Sequence, residues 1–349
     1  MSELISANDT RYSRQRLFSP IGPEGQLKLT KSRIAIVGMG ALGTVIANHM
    51  VRAGVGFIRL IDRDFVEWSN LQRQMLYDEE DALQFAPKAL AAANRLRQVN
   101  SEVEIEPHVT DLNPTNAQDL LGDVDLILDG TDNFSVRFLI NDVSLKYNIP
   151  WIYGGAVGSR GVTMTILPHQ TPCFRCMFGQ APSQGTGETC DTIGVIGPIV
   201  DLVASHQATE ALKLLVAETK YLNLNLVHYD LWFNQHSAIN VTKAKKSDCP
   251  ACQKKQFDYL DADLEGETIQ TLCGRNSVQI HPIEARHYDL SAWAVKWNPL
   301  GKIELSPFLL KFTINSKLTL VLFADGRVII QGTADITEAK SLYSRYIGA

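Results

Sequence analysis

Four of the six cysteines fall into two C-x-x-C pairs, Cys173/Cys176 and Cys249/Cys252. Two such pairs supply four thiolates for a tetrahedral shell, which suits zinc or, less often, an iron–sulfur centre. Pro172 and Pro250 beside the pairs provide rigid turns that help both sulfurs face one ion. With every ligand supplied by the protein, no position stays open for a substrate, so the site reads as structural. The pairs are far apart in the chain, and a shared ion would staple two distant segments.

A second constellation is built for phosphate. Gly38-x-Gly40-x-x-Gly43 follows the apolar run 33–37 and opens a helical stretch. Its glycines let the backbone approach a phosphate, and the helix start offers free N–H groups. Asp62 ends the next apolar run and is placed to bind a ribose hydroxyl. Alone, these residues specify a nucleotide, with NAD and an oxidoreductase as the default reading. The next segment changes that reading. Asn70, Arg73 and Gln74 lie just beyond the ribose position, and Lys88 begins a further helical stretch. Cations there suit a triphosphate better than a nicotinamide. A carboxylate attacking an α-phosphate brings two anions together, and Arg, Lys and Mg²⁺ must screen them. Asp132, in Thr131-Asp132-Asn133, lies at the end of the fourth expected strand, where open α/β sheets bind ligands. It is placed to hold Mg²⁺. Read singly, Asp132 would be a helix N-cap, and Arg73 and Lys88 solvated charges; the order and position of the set favour a triphosphate site.

These residues need a scaffold, and the hydrophobic pattern describes one. Strands are expected at 33–37, 57–61, 103–105, 124–128 and 151–153, alternating with helices near 41–53, 82–99, 114–121 and 133–147. That alternation predicts an α/β fold with a doubly wound, mostly parallel, Rossmann-like sheet. Antiparallel strands at 162–167, 224–231 and 237–241 continue it, with a long helix over 198–217 between them. Residues 178–192, rich in Gly, Ser and Thr, read as a mobile loop that carries Cys190 near its end. A polar stretch at 253–267 reads as a linker. Beyond it, strands at 278–281, 308–314, 318–323 and 327–331 and a helix over 337–346 form a small α+β module, in which Cys273, His281 and His287 read as ordinary residues. The domains are thus 1–253, with the zinc site, and 268–349, an accessory unit. Two domains agree with 349 residues at about 150 per domain.

Composition bounds the partners. The net charge of −5 gives no basic face for nucleic acid. No apolar run reaches the roughly 18 residues of a membrane span. The N-terminus lacks the apolar core of a secretory signal, so a cytoplasmic protein is expected.

Taken together, these motifs resemble the ThiF/MoeB/HesA family, bacterial relatives of ubiquitin-activating enzymes. The matching pieces are Arg11-Tyr-Ser-Arg14-Gln15, Gly38 through Gly43, Asp62 through Gln74, Lys88, Thr131-Asp132-Asn133, both C-x-x-C pairs, and Thr189-Cys190 through Pro198. The resemblance covers residues 10–253. Within the family the sequence is most similar to thiazole-biosynthesis adenylyltransferases with a C-terminal extension; the molybdopterin-synthase carrier enzymes come second. The resemblance implies ATP- and Mg²⁺-dependent adenylation of a ubiquitin-like sulfur-carrier protein ending in Gly-Gly. It further implies that Asp62 holds the ribose, Gly40 lies near the phosphates, Asn70, Arg73 and Lys88 contact them, and Asp132 binds Mg²⁺. Arg14 would reach the triphosphate bound to the other subunit of a homodimer. Cys190 is either a covalent acceptor for the carrier or an unreactive residue beside a helix start. No rhodanese-like domain is recognisable, so sulfur is expected from a cysteine desulfurase or another persulfide donor.

Overall fold

The structure, a computed structural model, describes residues 10–180, 190–262, 268–272, 276–281, 288–324 and 326–348. Cys273, His287, loop residues 181–189 and linker residues 263–267 lie outside the described residues, as do the side chains of Cys190 and His281. The chain divides into two compact units. One comprises Met1–Glu79, Pro87–Ala181 and Val195–Ala262; the other comprises Glu80–Ala86, Pro182–Gly194 and Asp263–Ala349.

In the first unit the described strands are β1 (Arg33–Val37), β2 (Phe57–Ile61), β3 (Glu104–His108), β4 (Leu126–Asp129), β5 (Trp151–Val157), β6 (Arg160–Ile166), β7 (Leu226–Asp230) and β8 (Gln235–Ile239). They form one sheet in the order β3-β2-β1-β4-β5-β6-β7-β8. The pairings from β3 to β5 are parallel, and those from β5 to β8 are antiparallel. β2 is buried along its whole length, as a parallel strand covered on both faces must be. Its sequence is apolar except for the buried Arg59, which pairs with Asp123 and Glu106. The order runs outward from β1 on both sides, so β1 and β4 meet at the switch point where such sheets open a crevice. One face packs Phe138, Trp151, Tyr153 and Phe174 into an aromatic core. Helices Ala41–Ala53 and Gly197–Leu215 pack together.

Two expectations are corrected here. The helical stretch 82–99 is not continuous: helices Glu79–Leu83 and Lys88–Val99 are separated, with Phe85 in the left-handed region (φ 51°) and Pro87 extended. Proline restarts the helix so that Lys88 is its first residue. The polar stretch after Cys252 is not all linker. Leu260 is buried, and Tyr259 stacks on Phe138 with ring centroids 4.7 Å apart. Its apolar residues therefore close the core of the first unit.

In the second unit β9 (Thr268–Leu272), β10 (Ser277–His281), β11 (Lys302–Leu305), β12 (Leu309–Thr313), β13 (Thr319–Phe323) and β14 (Val328–Gln331) form an antiparallel sheet, ordered β11-β12-β13-β14-β10-β9. Alternate residues such as Val278, Ile280, Leu320 and Leu322 face helices Leu290–Trp297 and Ile336–Tyr346. Among the described residues, no helix is long and apolar enough to cross a membrane.

Candidate active site and metal centre

The glycine loop joins β1 to helix Ala41–Ala53. Gly38 has φ 88°, and a Cβ on Gly43 would lie 1.8 Å from the Gly38 carbonyl oxygen. Neither position tolerates a side chain. Gly40 differs: an added Cβ would meet only Gln74 Nε2, at 4.0 Å. Space therefore opens above the loop at the helix start, where no side chain caps the first-turn N–H groups. Those groups are a ready anion site.

Around this loop the structure assembles most of the expected set. Asp62 Oδ2 accepts from Met39 N at 2.6 Å, and Oδ1 accepts from Asp64 N at 2.7 Å. Its carboxylate thus braces the loop. Burial raises the Asp62 pKa above the ordinary carboxylate value; Asp64 adds to this, while Lys88 and the two N–H donors oppose it. Gln74 is buried beside Gly40, and its Oε1 has no hydrogen-bond partner among the described residues. An unpaired buried oxygen at the mouth of an anion site fits a ligand bearing hydroxyl or amino groups. Asn70 is held by Glu67 N, which donates to its Oδ1 at 3.1 Å. Lys88 is buried, with Nζ 3.4 Å from Asp64 Oδ2. Arg73 is partly exposed and donates to Ser69 O at 2.9 Å. Arg14 lies exposed on helix Ser13–Leu17.

β4 ends against the glycine loop, because a Cβ on Gly130 would lie 2.5 Å from Gly38 O. Asp132 follows two residues later and is exposed. It does not cap the next helix. That task falls to Asn133, whose Oδ1 accepts from Ser135 N at 2.8 Å and Val136 N at 3.3 Å. The Asp132 carboxylate is thus not the helix cap, and a carboxylate is the kind of hard oxygen ligand that Mg²⁺ takes.

Sequence reasoning missed several supports. The Tyr77 hydroxyl lies 2.7 Å from Met39 O and 3.1 Å from Lys88 O, tying the glycine loop to the lysine's helix. Arg63 pairs with Asp111 at 3.0 Å. Burial pulls the Arg63 pKa down, but Asp111, Asp64, Asp62 and Asp132 together outweigh it and raise it. A buried pair, Asp129–Arg137, stands behind the Asp132 turn.

The four cysteines of the two C-x-x-C pairs converge. All are buried and unbridged, with their sulfurs within 4.8 Å of one another. Cys173 and Cys249 sulfurs are 3.7 Å apart, Cys176 and Cys252 3.6 Å, and Cys173 and Cys176 3.8 Å. A disulfide would need about 2.05 Å. Four sulfurs at about 2.3 Å from a central ion, tetrahedrally placed, lie about 3.8 Å apart, so the cluster fits zinc. The bond from Cys173 pulls Cys176 down to about 4, while burial pushes Cys252 up to about 11.

The ThiF family model matches residues 12–251. The sulfur carrier protein ThiS adenylyltransferase of Bacillus subtilis is 44% identical over 339 residues, covering 97% of this chain and 99% of that protein. The sulfur carrier protein adenylyltransferase of Thermus thermophilus is 36% identical over 260 residues, covering 71% and 94%. Among solved structures, Escherichia coli MccB with MccA-N7isoASN superposes with a TM-score of 0.61 at 23% identity, covering 69% of this chain and 74% of that one, a likeness of fold.

Proposed function

The chain belongs to the ThiF family, and from that premise we propose that it adenylates the C-terminal Gly-Gly carboxylate of a ubiquitin-like sulfur carrier of the ThiS type. The near end-to-end match to a ThiS adenylyltransferase carries this reading. The open space over Gly40, the unpaired Gln74 oxygen and the buried Lys88 charge support it.

In this reading a carboxylate oxygen of the carrier attacks the α-phosphorus of ATP. The bond to the bridging oxygen breaks, pyrophosphate leaves, and a carrier acyl-adenylate remains. Asp132 would hold Mg²⁺, which would supply charge neutralisation at the phosphates. The protein's own residues bind and orient. Asp62 takes the ribose, and Gly40 and the helix N–H groups take phosphate. Asn70, Arg73, Gln74 and Lys88 line the phosphate path, and Arg14 arrives from the second subunit of a homodimer. The cysteine cluster holds zinc, and 268–349 is an accessory domain. The enzyme works in the cytoplasm, and sulfur reaches the adenylate from a cysteine desulfurase or another persulfide donor.

ATP–pyrophosphate exchange against a panel of purified Gly-Gly carriers tests the assignment. Exchange dependent on a ThiS-type carrier supports it. Exchange with the molybdopterin-synthase carrier alone moves the chain to that pathway, and exchange with no carrier removes adenylation altogether.

A further inference from the structure

The buried pair behind Asp132 has no part in the reaction as described. Asp129 (0% exposed) ends β4, and Arg137 (5% exposed) sits in the first turns of helix Phe134–Tyr147. Arg137 Nε donates to Asp129 Oδ2 at 2.8 Å. Burying two charges is costly, and apolar residues of similar volume often stabilise a core as well or better. Stability alone is therefore a weak reason for the pair.

Most of its remaining hydrogen bonds go to Thr131, which precedes Asp132, and one reaches Gly154 on β5. Asp129 Oδ1 accepts from Thr131 N at 2.9 Å and from Thr131 Oγ1 at 2.7 Å. Arg137 Nη2 donates to Thr131 O, and to Gly154 O at 2.9 Å. The peptides on both sides of Thr131 are thus tied to one carboxylate–guanidinium pair, and the second of them ends at Asp132 N. Gln207 Nε2 secures the strand ends, donating to Asp129 O at 2.8 Å and Ile152 O at 3.1 Å.

We propose that Asp129 and Arg137 are positioning residues that fix the backbone at Thr131, so that the Asp132 carboxylate meets the metal–nucleotide in one orientation. This rests on the reading of Asp132 as a metal ligand. Mg²⁺ tolerates little departure from octahedral geometry, so a loosened ligand loses affinity even when it is chemically intact.

The test uses the full-length protein, with Mn²⁺ binding followed by electron paramagnetic resonance in the presence of a non-hydrolysable ATP analogue. Removing Arg137 alone strands a buried Asp129 charge, so the informative variant is the charge-free double substitution Asp129→Asn with Arg137→Gln. Arg137→Lys, which keeps the charge but loses the planar fork, is the second variant and serves if the double one does not fold. We expect a folded, zinc-loaded protein whose nucleotide affinity without added Mg²⁺ or Mn²⁺ matches the parent. Its Mn²⁺ affinity in the nucleotide complex should fall by about tenfold or more, the scale seen when partners behind a ligand are removed. The Mg²⁺ requirement of exchange should rise in parallel. Parental Mn²⁺ affinity in the folded variants would overturn the proposal. Unchanged Mn²⁺ affinity in Asp132→Ala would also overturn it, by removing the ligand it depends on. Loss of carrier-dependent exchange in the parent would instead strike the function proposed above and leave the Mn²⁺ comparison readable.

Discussion

A carboxyl group that titrates near neutrality inside a core makes folding sensitive to ordinary pH. Asp142 is fully buried on helix Phe134–Tyr147, and its Oδ2 accepts from Tyr259 N at 3.0 Å. Burial pushes it up to about 7, against hydrogen bonds from Tyr259 N, Asn141 and Leu260 N and the charge of Arg175. The folded pKa thus lies above the unfolded value of about 3.9. The stabilisation from keeping this proton is full below about pH 4 and is lost as pH rises through about 7. Its size is on the order of a few kcal/mol. Asp142→Asn keeps the acceptor for Tyr259 N and removes the charge. Its melting temperature should exceed the parent's at pH 8.5 by more than at pH 6. An offset independent of pH would show that Asp142 does not titrate as argued. Nothing in the sequence marks this residue, because its burial is set by distant segments such as that of Tyr259, more than a hundred residues away. The same limit separates what was legible in the site from what was not. The glycine loop, Asp62 and the C-x-x-C pairs are local patterns whose chemistry follows from spacing. Tyr77 and Arg63 act through bonds that only the folded chain makes, to Met39 and Lys88 and to Asp111 beyond β3, and Asp129 and Arg137 meet only once β4 and the helix after it are in place.

At the scale of elements, the four-sulfur cluster, holding zinc as proposed, would cross-link the first unit. It would join the start of helix Phe174–Phe178 to the segment around Cys249, Cys173 and Cys249 being 76 positions apart in the sequence. By the loop-closure argument a cross-link of that span is worth about 4 kcal/mol. In a unit of this size that corresponds to a melting shift of roughly 10 °C. Chelation, or Cys249→Ser, should lower the melting temperature by about that amount, and metal analysis should find about one zinc per chain. A metal-free parent, or a chelated protein that melts unchanged, contradicts the zinc staple. The elements themselves were readable where periodicity is strong, as in the alternating strands and helices from β1 to β5. Helix Leu290–Trp297 was overlooked although its signal was present: Asp289 caps it, accepting from Ser291 N at 2.9 Å and Ala292 N at 3.2 Å. Strand Lys302–Leu305 is short, charged and partly exposed, and gives little alternation to read. The break between Leu83 and Lys88 was masked by an alanine-rich sequence that favours helix on both sides of Pro87.

At the scale of the whole molecule, the proposed homodimer makes the active site a shared object. Arg14 is exposed on a short helix whose neighbours Leu17 and Phe18 are 73% and 61% exposed. Large apolar side chains left open beside an unengaged arginine suit burial against a second copy of the chain. In a two-fold dimer each site would combine Asp132 of one subunit with Arg14 of the other, the arginine neutralising triphosphate charge in trans. Subunits carrying Arg14→Ala or Asp132→Ala should then each be inactive in exchange when pure. In a mixed dimer one site receives both defects and the other receives neither. Random pairing of equal amounts makes half the dimers mixed, each with one intact site of two, so activity should return to about a quarter of the parental value. Co-expression with two different affinity tags isolates the mixed dimers, which should reach about half. If isolated mixed dimers stay inactive, Arg14 serves its own subunit or takes no part in the reaction. If Arg14→Ala alone exchanges at the parental rate, the arginine is dispensable and the site is complete within one chain.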